Sequence, residues 1–236
     1  MDSKILSRLK TLANPEHAKT ALWFFKAGPG EYGEGDQFLG IRVPVIRQQV
    51  KAFKPVPLAT CEKLLSSPFH EVRLFALLSM VELYQSKKPD LKSQVYESYM
   101  ANRQYINNWD LVDSSSYKIV GPYLSDKSRK VLYQLATSEN LWDRRIAIVT
   151  TYHFIKQNDF SDTLKLAEIL LTDNHDLIHK AVGWMLKEIG KRDETTLINF
   201  LKPYYRVMPR TMLRTAIEKL DQDTRQSFLK GTMSIC

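Results

Sequence analysis

The sequence predicts an all-α protein in which helix pairs stack into a solenoid, and two observations support this prediction. Similar phrases recur every 34 to 36 residues over much of the chain. A fixed period of this size is typical of stacked helical repeats, in which each unit buries its apolar side against its neighbours. Apolar residues also recur at intervals of three and four, without the alternation of strands. Because the connections are short, we expect one domain over residues 1–236.

Each repeat begins with a basic or aromatic residue at the head of an amphipathic helix. We call these the heading residues, and they are Arg73, Trp109, Arg145, Lys180 and Arg214. Equivalent positions of a curved solenoid share one concave surface. Since Arg and Lys are rarely buried in a core, this phase predicts a basic inner surface that suits a polyanion.

The first clear helix begins at Pro15, after the capping residue Asn14, and ends before the glycine-rich stretch at residues 28–40. That stretch is a loop, and it lacks the Lys-Ser/Thr ending of a phosphate-binding loop. Prolines and polar caps then separate a series of further helices. They are predicted over residues 45–53, 58–65, 72–80, 91–100, 108–124, 127–137, 141–156, 161–171, 177–191, 194–204 and 210–220.

Composition indicates a globular protein with an anionic partner. Hydrophobic residues make up 44% and charged residues 25%, which is ordinary for a folded domain, and the formal net charge is +8. The segment 202–219, which includes Arg210, is especially basic. Two cysteines, Cys61 and Cys236, support no disulfide scaffold. With no signal peptide and no run of about 18 apolar residues, we expect a protein of the reducing cytosol that is neither exported nor embedded in a membrane.

The helix that begins after Asn108 carries the first candidate site. Trp109 lies in its first turn and Asp113 follows four residues later, so both side chains share one face. Such a pair places an aromatic plane beside a carboxylate. The alternative is that Trp109 fills the core and that Asp110 or Asp113 complements the positive helix N-terminus.

Two later segments carry further candidates. Adjacent arginines diverge by about 100° on a helix, and the repeat phase selects Arg145 over Arg144 for a phosphate contact. The alternative is a surface ion pair with Asp110 or Asp113. Trp184 lies one turn after Lys180, next to Gly183, which leaves room for a ligand or another helix. A tryptophan buried between helices is the alternative there.

Other chemistries lack candidates in the sequence. The pair His175 and His179 has helical spacing but no partner carboxylate, so we expect no metal site. No Ser-His-Asp arrangement, nucleophile elbow or dinucleotide-binding glycine pattern occurs. We therefore expect neither a cofactor nor covalent catalysis.

The chain resembles the DNA alkylation repair glycosylases of the AlkD type along nearly its whole length. The matching segments are Phe38-Leu39-Gly40-Ile41 with Pro44 and Arg47, Trp109-Asp110-Leu111-Val112-Asp113, Leu141-Trp142 with Arg145-Ile146-Ala147-Ile148, Lys180-Ala181-Val182-Gly183-Trp184 with Leu186-Lys187-Glu188, and Arg214 with Ala216-Ile217. The resemblance implies a right-handed α-solenoid of HEAT-like repeats with a concave basic face. It also implies hydrolysis of the N-glycosidic bond of N3- or N7-alkylated purines in duplex DNA.

By the same resemblance, the catalytic residues are Asp113, Trp109, Trp184 and Arg145. DNA contacts are expected from six basic residues: Arg47, Arg73, Lys180, Lys187, Arg210 and Arg214. We expect a monomer that binds duplex DNA and no metal. Two other interpretations stay open, a solenoid that binds DNA of unusual shape without cleaving it and a protein-binding HEAT scaffold. For a protein-binding scaffold we would expect an apolar or acidic inner surface in place of a basic one.

Overall fold

The computed structural model describes residues 1–86 and 88–233, and the regular structure of this part is helical. It contains no strand, only an isolated bridge between Gln37 and Phe69. The predicted all-α class is therefore confirmed. The helices are α1 (Asp2–Thr11), α2 (Pro15–Phe24), α3 (Val43–Phe53), α4 (Leu58–Leu65), α5 (His70–Tyr84), α6 (Pro89–Ala101), α7 (Trp109–Tyr123), α8 (Lys130–Ala136), α9 (Leu141–Thr150), α10 (Tyr152–Ile155), α11 (Ser161–Ile169), α12 (Asp176–Gly190), α13 (Glu194–Tyr204), α14 (Arg210–Ala216) and α15 (Gln222–Lys230).

Local sequence signals place most helix starts. The Asn14 side chain accepts the backbone N–H of His17 at 3.0 Å, so that α2 begins at Pro15 as predicted. Pro57 precedes α4 as its N-cap residue. The bounds of α13 agree with the predicted helix at 194–204, and its cap is Asp193, whose side chain accepts from the Thr196 N–H.

The largest differences from the prediction concern α1, α15 and the segment 141–156. Helices α1 and α15 were not predicted, although Asp221 caps α15 and Gly231 ends it with a φ of +77°. The helix predicted over residues 141–156 is divided into α9 and α10. At the division, the Thr151 hydroxyl donates to the carbonyl of Ile148 at 2.7 Å, a local bond that competes with the regular helix pattern.

The chain forms two compact units, Met1–Ile119 and a second unit that begins at Val120. In the first unit, α5 packs against α3, α4 and α6, and its buried residues include Phe75, Leu77 and Met80. In the second unit, α12 packs against α9, α13 and α14. The single domain over residues 1–236 stays a prediction.

The heading residues all lie within the first five residues of a helix, which agrees with the repeat. Their exposure differs, however, because Arg73 and Arg145 are only 4% and 5% exposed. Lys180 and Arg214 are exposed, and Trp109 is half-buried. The expectation that all five residues line one open surface is therefore wrong for the two buried arginines, whose guanidinium groups have partners inside the protein.

Candidate functional site

The Trp109 and Asp113 pair lies at the start of α7, as the sequence predicts. The side chain of Asn108 accepts the backbone N–H of Trp109 at 2.8 Å, which fixes the first turn. Asp113 follows one turn later, and both Trp109 and Asp113 are half-buried. An indole and a carboxylate thus share one helix face in the first unit.

Trp109 packs among other aromatic rings. We call this group the aromatic cluster, and its members are Phe24, Phe25, Phe38, His70 and Trp109. The Trp109 ring lies 5.7 Å from Phe24, edge to face, and 5.5 Å from Phe25. Phe24 is 53% exposed, and a cavity of about 330 Å³ beside the cluster has Phe24, Phe25 and His70 among its lining residues. Trp109 is therefore held by packing next to accessible space.

His70, a member of this cluster, also contacts two carboxylates that are distant in sequence. Its Nε2 lies 2.8 Å from an oxygen of Asp110, and its Nδ1 lies 3.3 Å from an oxygen of Asp36. Asp36 also accepts from the Arg73 guanidinium at 2.7 Å and from the Asn107 amide at 3.2 Å. These five residues form what we call the charged network, which ties the glycine-rich loop to α5 and α7.

The charged network sets the ionisation of its members. Burial by itself would lower the pKa of His70, but the charge and hydrogen bond of Asp110, together with the hydrogen bond to Asp36, raise that pKa to about 9. Burial would raise the pKa of Asp36, yet the hydrogen bond from His70 and the charge of Arg73 hold it below its usual value. His70 is thus an imidazolium at neutral pH, and Asp36 is a carboxylate.

The segment 38–41, part of the sequence resemblance, is held by Glu71. This buried carboxylate accepts the backbone N–H groups of Leu39, Gly40 and Ile41 at 2.9, 2.7 and 3.2 Å. Gly40 has a φ of +76°, and a Cβ atom there would lie 2.1 Å from the carbonyl oxygen of Asn14. Only glycine fits this position, because both the conformation and the close approach of α2 exclude a side chain.

In the second unit, Trp184 is half-buried on α12, and its ring centre lies 5.7 Å from that of Tyr152. Next to it, Gly183 permits a close approach of α14. A Cβ atom at Gly183 would lie 2.6 Å from the carbonyl oxygen of Met212 and 2.7 Å from the Cβ of Thr215. Of the two predicted roles for this glycine, the structure therefore supports helix packing.

The adjacent arginines of α9 diverge as expected. Arg144 binds the carboxylate of Asp173 at 2.6 Å. Arg145 points elsewhere, and its Nη1 donates to the carbonyl of Leu177 in the first turn of α12, also at 2.6 Å. Arg145 thus ties α9 to the helix that carries Trp184.

The six basic residues expected to contact DNA fall into two classes. Arg73 is enclosed: it binds Asp36 and donates to the carbonyl of Ser67 at 2.9 Å. Because this guanidinium is enclosed together with the carboxylate that neutralises it, we leave Arg73 out of the proposed contacts. Lys187 is largely covered and pairs with Glu218 at 2.9 Å.

The other four basic residues are exposed, namely Arg47, Lys180, Arg210 and Arg214. Lys180 pairs with Asp176 at 2.6 Å, but both side chains are more than half exposed, so solvent screens this pair. Arg210 donates to the carbonyl of Leu229 at 3.3 Å. These four residues remain accessible to an anionic partner.

Sequence reasoning missed the charged network. Asp36 lies 34 residues from His70, and Asp110 lies 40 residues from it, so no local spacing reveals them. The available signal was the placement of a histidine and an arginine on one turn of α5, at positions 70 and 73. The sequence suggested only that Asp110 complements the helix N-terminus, and it did not indicate the bond between Asp110 and His70.

Two findings bear on metals and membranes. Within residues 1–86 and 88–233, no three His, Cys, Asp or Glu side chains are grouped as metal ligands would be. His175 instead caps α12, where its Nδ1 accepts the N–H of Leu177 at 3.1 Å. Cys61 is buried, while Cys236 lies outside the described residues. None of the described helices combines the length and apolarity needed to cross a bilayer.

Comparison with known proteins points to one family. The model of a family described as DNA alkylation repair enzyme matches residues 5–220. A solved structure described as a predicted DNA alkylation repair enzyme from Enterococcus faecalis is similar to this chain, with 19% identity and a TM-score of 0.70, over 89% of this chain and 97% of that one. The likeness supports the predicted HEAT-like α-solenoid; its handedness and basic concave face stay predictions. No curated protein matches the chain.

Proposed function

This chain belongs to the DNA alkylation repair enzyme family, and from that premise we propose that it is a monofunctional DNA glycosylase. Its substrates are N3- and N7-alkylated purines in duplex DNA, such as 3-methyladenine and 7-methylguanine. The observation that carries the proposal is the pairing of Trp109 with Asp113 on one face of α7. The enzyme acts as a monomer in the cytosol and nucleoid and needs no cofactor.

The substrate explains why so few polar groups suffice. An alkyl group on N3 or N7 makes the purine cationic, so the base leaves without protonation by a general acid. The remaining task is to stabilise the positive charge that develops on the sugar as the glycosidic bond lengthens. The carboxylate of Asp113 does this electrostatically, and it orients the attacking water.

The two tryptophans add to this stabilisation. The electron-rich face of an indole attracts a nearby cation by roughly 0.5 to 2 kcal/mol. Phe24 and Phe25 hold the Trp109 ring in the first unit, and Tyr152 packs against Trp184 in the second. Rings held in this way need little reorganisation as the charge develops.

Basic residues bind the DNA backbone in this proposal. Arg145 holds a phosphate next to the damaged nucleotide, and five further residues contact other phosphates: Arg47, Lys180, Lys187, Arg210 and Arg214. Arg145 also donates to the Leu177 carbonyl, so Arg145→Ala would remove a structural bond together with the charge. Arg145→Lys is the better test of the phosphate role, because it keeps a positive charge and a donor but loses the planar guanidinium.

The decisive experiment measures base release from methylated duplex DNA under single-turnover conditions. We expect Asp113→Asn to slow the release of 7-methylguanine by about 100-fold, the usual cost of removing one preorganised charge-stabilising group. Duplex affinity should change by less than about threefold, since Asp113 faces the sugar and not a phosphate. The matched control is Asp90→Asn, which makes the same substitution at an exposed position of the first unit.

Each outcome has a distinct meaning. Unchanged release by Asp113→Asn would remove this residue from the mechanism. Tight duplex binding by the wild type without any base release would support the alternative of a non-catalytic DNA-binding protein. Binding that does not weaken with salt would contradict DNA as the partner, because phosphate contacts release counterions.

A further inference from the structure

We infer that His70 is a positioning residue, whose doubly donating imidazolium fixes Trp109 by joining Asp36 of the glycine-rich loop to Asp110 in the first turn of α7. Within the aromatic cluster, Phe25 contacts both His70 and Trp109, and His70 needs no contact with the substrate. The proposed chemistry uses neither His70 nor the two carboxylates that it joins.

Geometry provides the first argument. Only an imidazolium donates from both ring nitrogens, and carboxylate oxygens lie 3.3 Å from Nδ1 and 2.8 Å from Nε2. His70 is 2% exposed and Asp36 is 7% exposed, so the bond between them is shielded from water, while the Asp110 side chain at the other bond is 14% exposed. Asp110 is the residue after Trp109, so a bond that fixes Asp110 also fixes the turn from which the indole projects.

Ring packing provides the second argument. The imidazole centre lies 4.6 Å from that of Phe25 and 5.1 Å from that of Phe38, and Phe25 contacts Trp109 at 5.5 Å. A cation against aromatic faces is attracted to them, so the charge on His70 stabilises the same rings that support the indole. The charged network and the aromatic cluster are thus one connected structure.

Charge balance provides the third argument. The charged groups that face His70 are Asp36 from the loop, Asp110 from α7 and Arg73 from its own helix. Two carboxylates that are largely shielded from solvent need two cations, and Arg73 supplies one by binding Asp36. Loss of the proton from His70 leaves one carboxylate uncompensated, so the arrangement depends on the imidazolium.

The order of the turn that carries Trp109 should depend on pH through His70. The pKa of His70 in the folded protein, about 9, lies above its ordinary value of 6.5. Its contribution is therefore complete below pH 6.5 and is lost as the pH rises through about 9. The turn that carries Trp109 should loosen over this range.

The test uses NMR of the full-length protein without DNA, so that it is independent of the proposed activity. In protein labelled with ¹⁵N-histidine, we expect His70 to titrate near pH 9, whereas His153, whose pKa is lowered chiefly by burial, is already neutral at pH 7.5. In protein labelled with 5-fluorotryptophan, the ¹⁹F resonance of Trp109 should shift with the same midpoint, and that of Trp184 should not. Titration of His70 near 6.5, or a Trp109 resonance that ignores its titration, would overturn the inference.

A kinetic measurement tests the functional consequence, and this part rests on the proposed function. Because a displacement of about 1 Å can cost up to about 100-fold in rate, we expect His70→Gln to slow single-turnover base release by about tenfold or more. Duplex affinity should stay within about threefold, since His70 contacts no phosphate. The control His153→Gln replaces a histidine that contacts Ser125 and Gln157, and it should release the base normally.

Rescue separates positioning from general damage to the fold. Asp110→Asn in the His70→Gln background removes the uncompensated charge, and we expect it to recover part of the lost rate. Equal rates for wild type and His70→Gln would refute the inference. If the wild type released no base, the proposed function would fall, while the two NMR titrations would still decide the positioning role. They also decide it if His70→Gln fails to fold.

Discussion

Replacing Glu71 by Gln should strongly destabilise the first unit, although the two side chains have nearly the same size and shape. The Glu71 side chain is buried, and its two oxygens accept three backbone N–H groups, from Leu39, Gly40 and Ile41. A glutamine offers one acceptor oxygen, and its NH₂ group would face a third N–H that also needs an acceptor. The substitution therefore removes the charge and orphans a buried donor.

The magnitude follows from these bonds. A hydrogen bond to a charged group contributes about 1.5 to 3 kcal/mol, against about 0.5 to 1.5 for a neutral one, so two retained bonds lose about 2 kcal/mol together. The orphaned donor costs a further 1 to 3 kcal/mol, approximately. We expect the free energy of unfolding to fall by about 3 to 5 kcal/mol.

Urea unfolding followed by circular dichroism measures this loss as a lower midpoint at an unchanged slope. Glu97→Gln is the matched control, because Glu97 is an exposed residue of α6 in the same unit, and it should change stability by less than about 0.5 kcal/mol. Amide hydrogen exchange adds a local measurement, since the N–H groups of residues 39–41 should lose protection. A loss below about 1 kcal/mol, or exchange that stays slow at these three amides, would refute the reasoning.

Three further predictions concern packing, DNA binding and the indole. Gly183→Ala should lower the free energy of unfolding by about 1 to 3 kcal/mol, because the new Cβ would overlap the Met212 carbonyl of α14; equal thermal stability would contradict this contact. Arg214→Ala should reduce the salt dependence of duplex affinity by about one phosphate contact, whereas Lys165→Ala should not; identical slopes would exclude Arg214 from the interface. Trp109→Leu should slow base release by about 2- to 30-fold, the value of one cation–π contact; an unaffected rate would exclude the indole from the chemistry.

The sequence already determined much of the fold, because helix periodicity, caps and prolines act over a few residues. Asn14 placed the start of α2 correctly, and α13 was predicted with its observed bounds. The first and last helices, α1 and α15, were not predicted. The position of Trp109 and Asp113 on one helix face was also predictable, since it depends only on their spacing and on the start of α7.

Tertiary structure decided what each charged residue does. Arg73 and Arg214 have the same phase in the repeat, yet Arg73 is buried against Asp36 and Arg214 is exposed. The position of a residue in the repeat determines which way its side chain points from the helix. Its burial depends on which distant segment packs against that side chain. The charged network around His70 has the same origin, since a loop at Asp36 and a turn at Asp110 meet only after folding. Their separation along the chain is the physical reason why periodicity, which reports local geometry, could not reveal them.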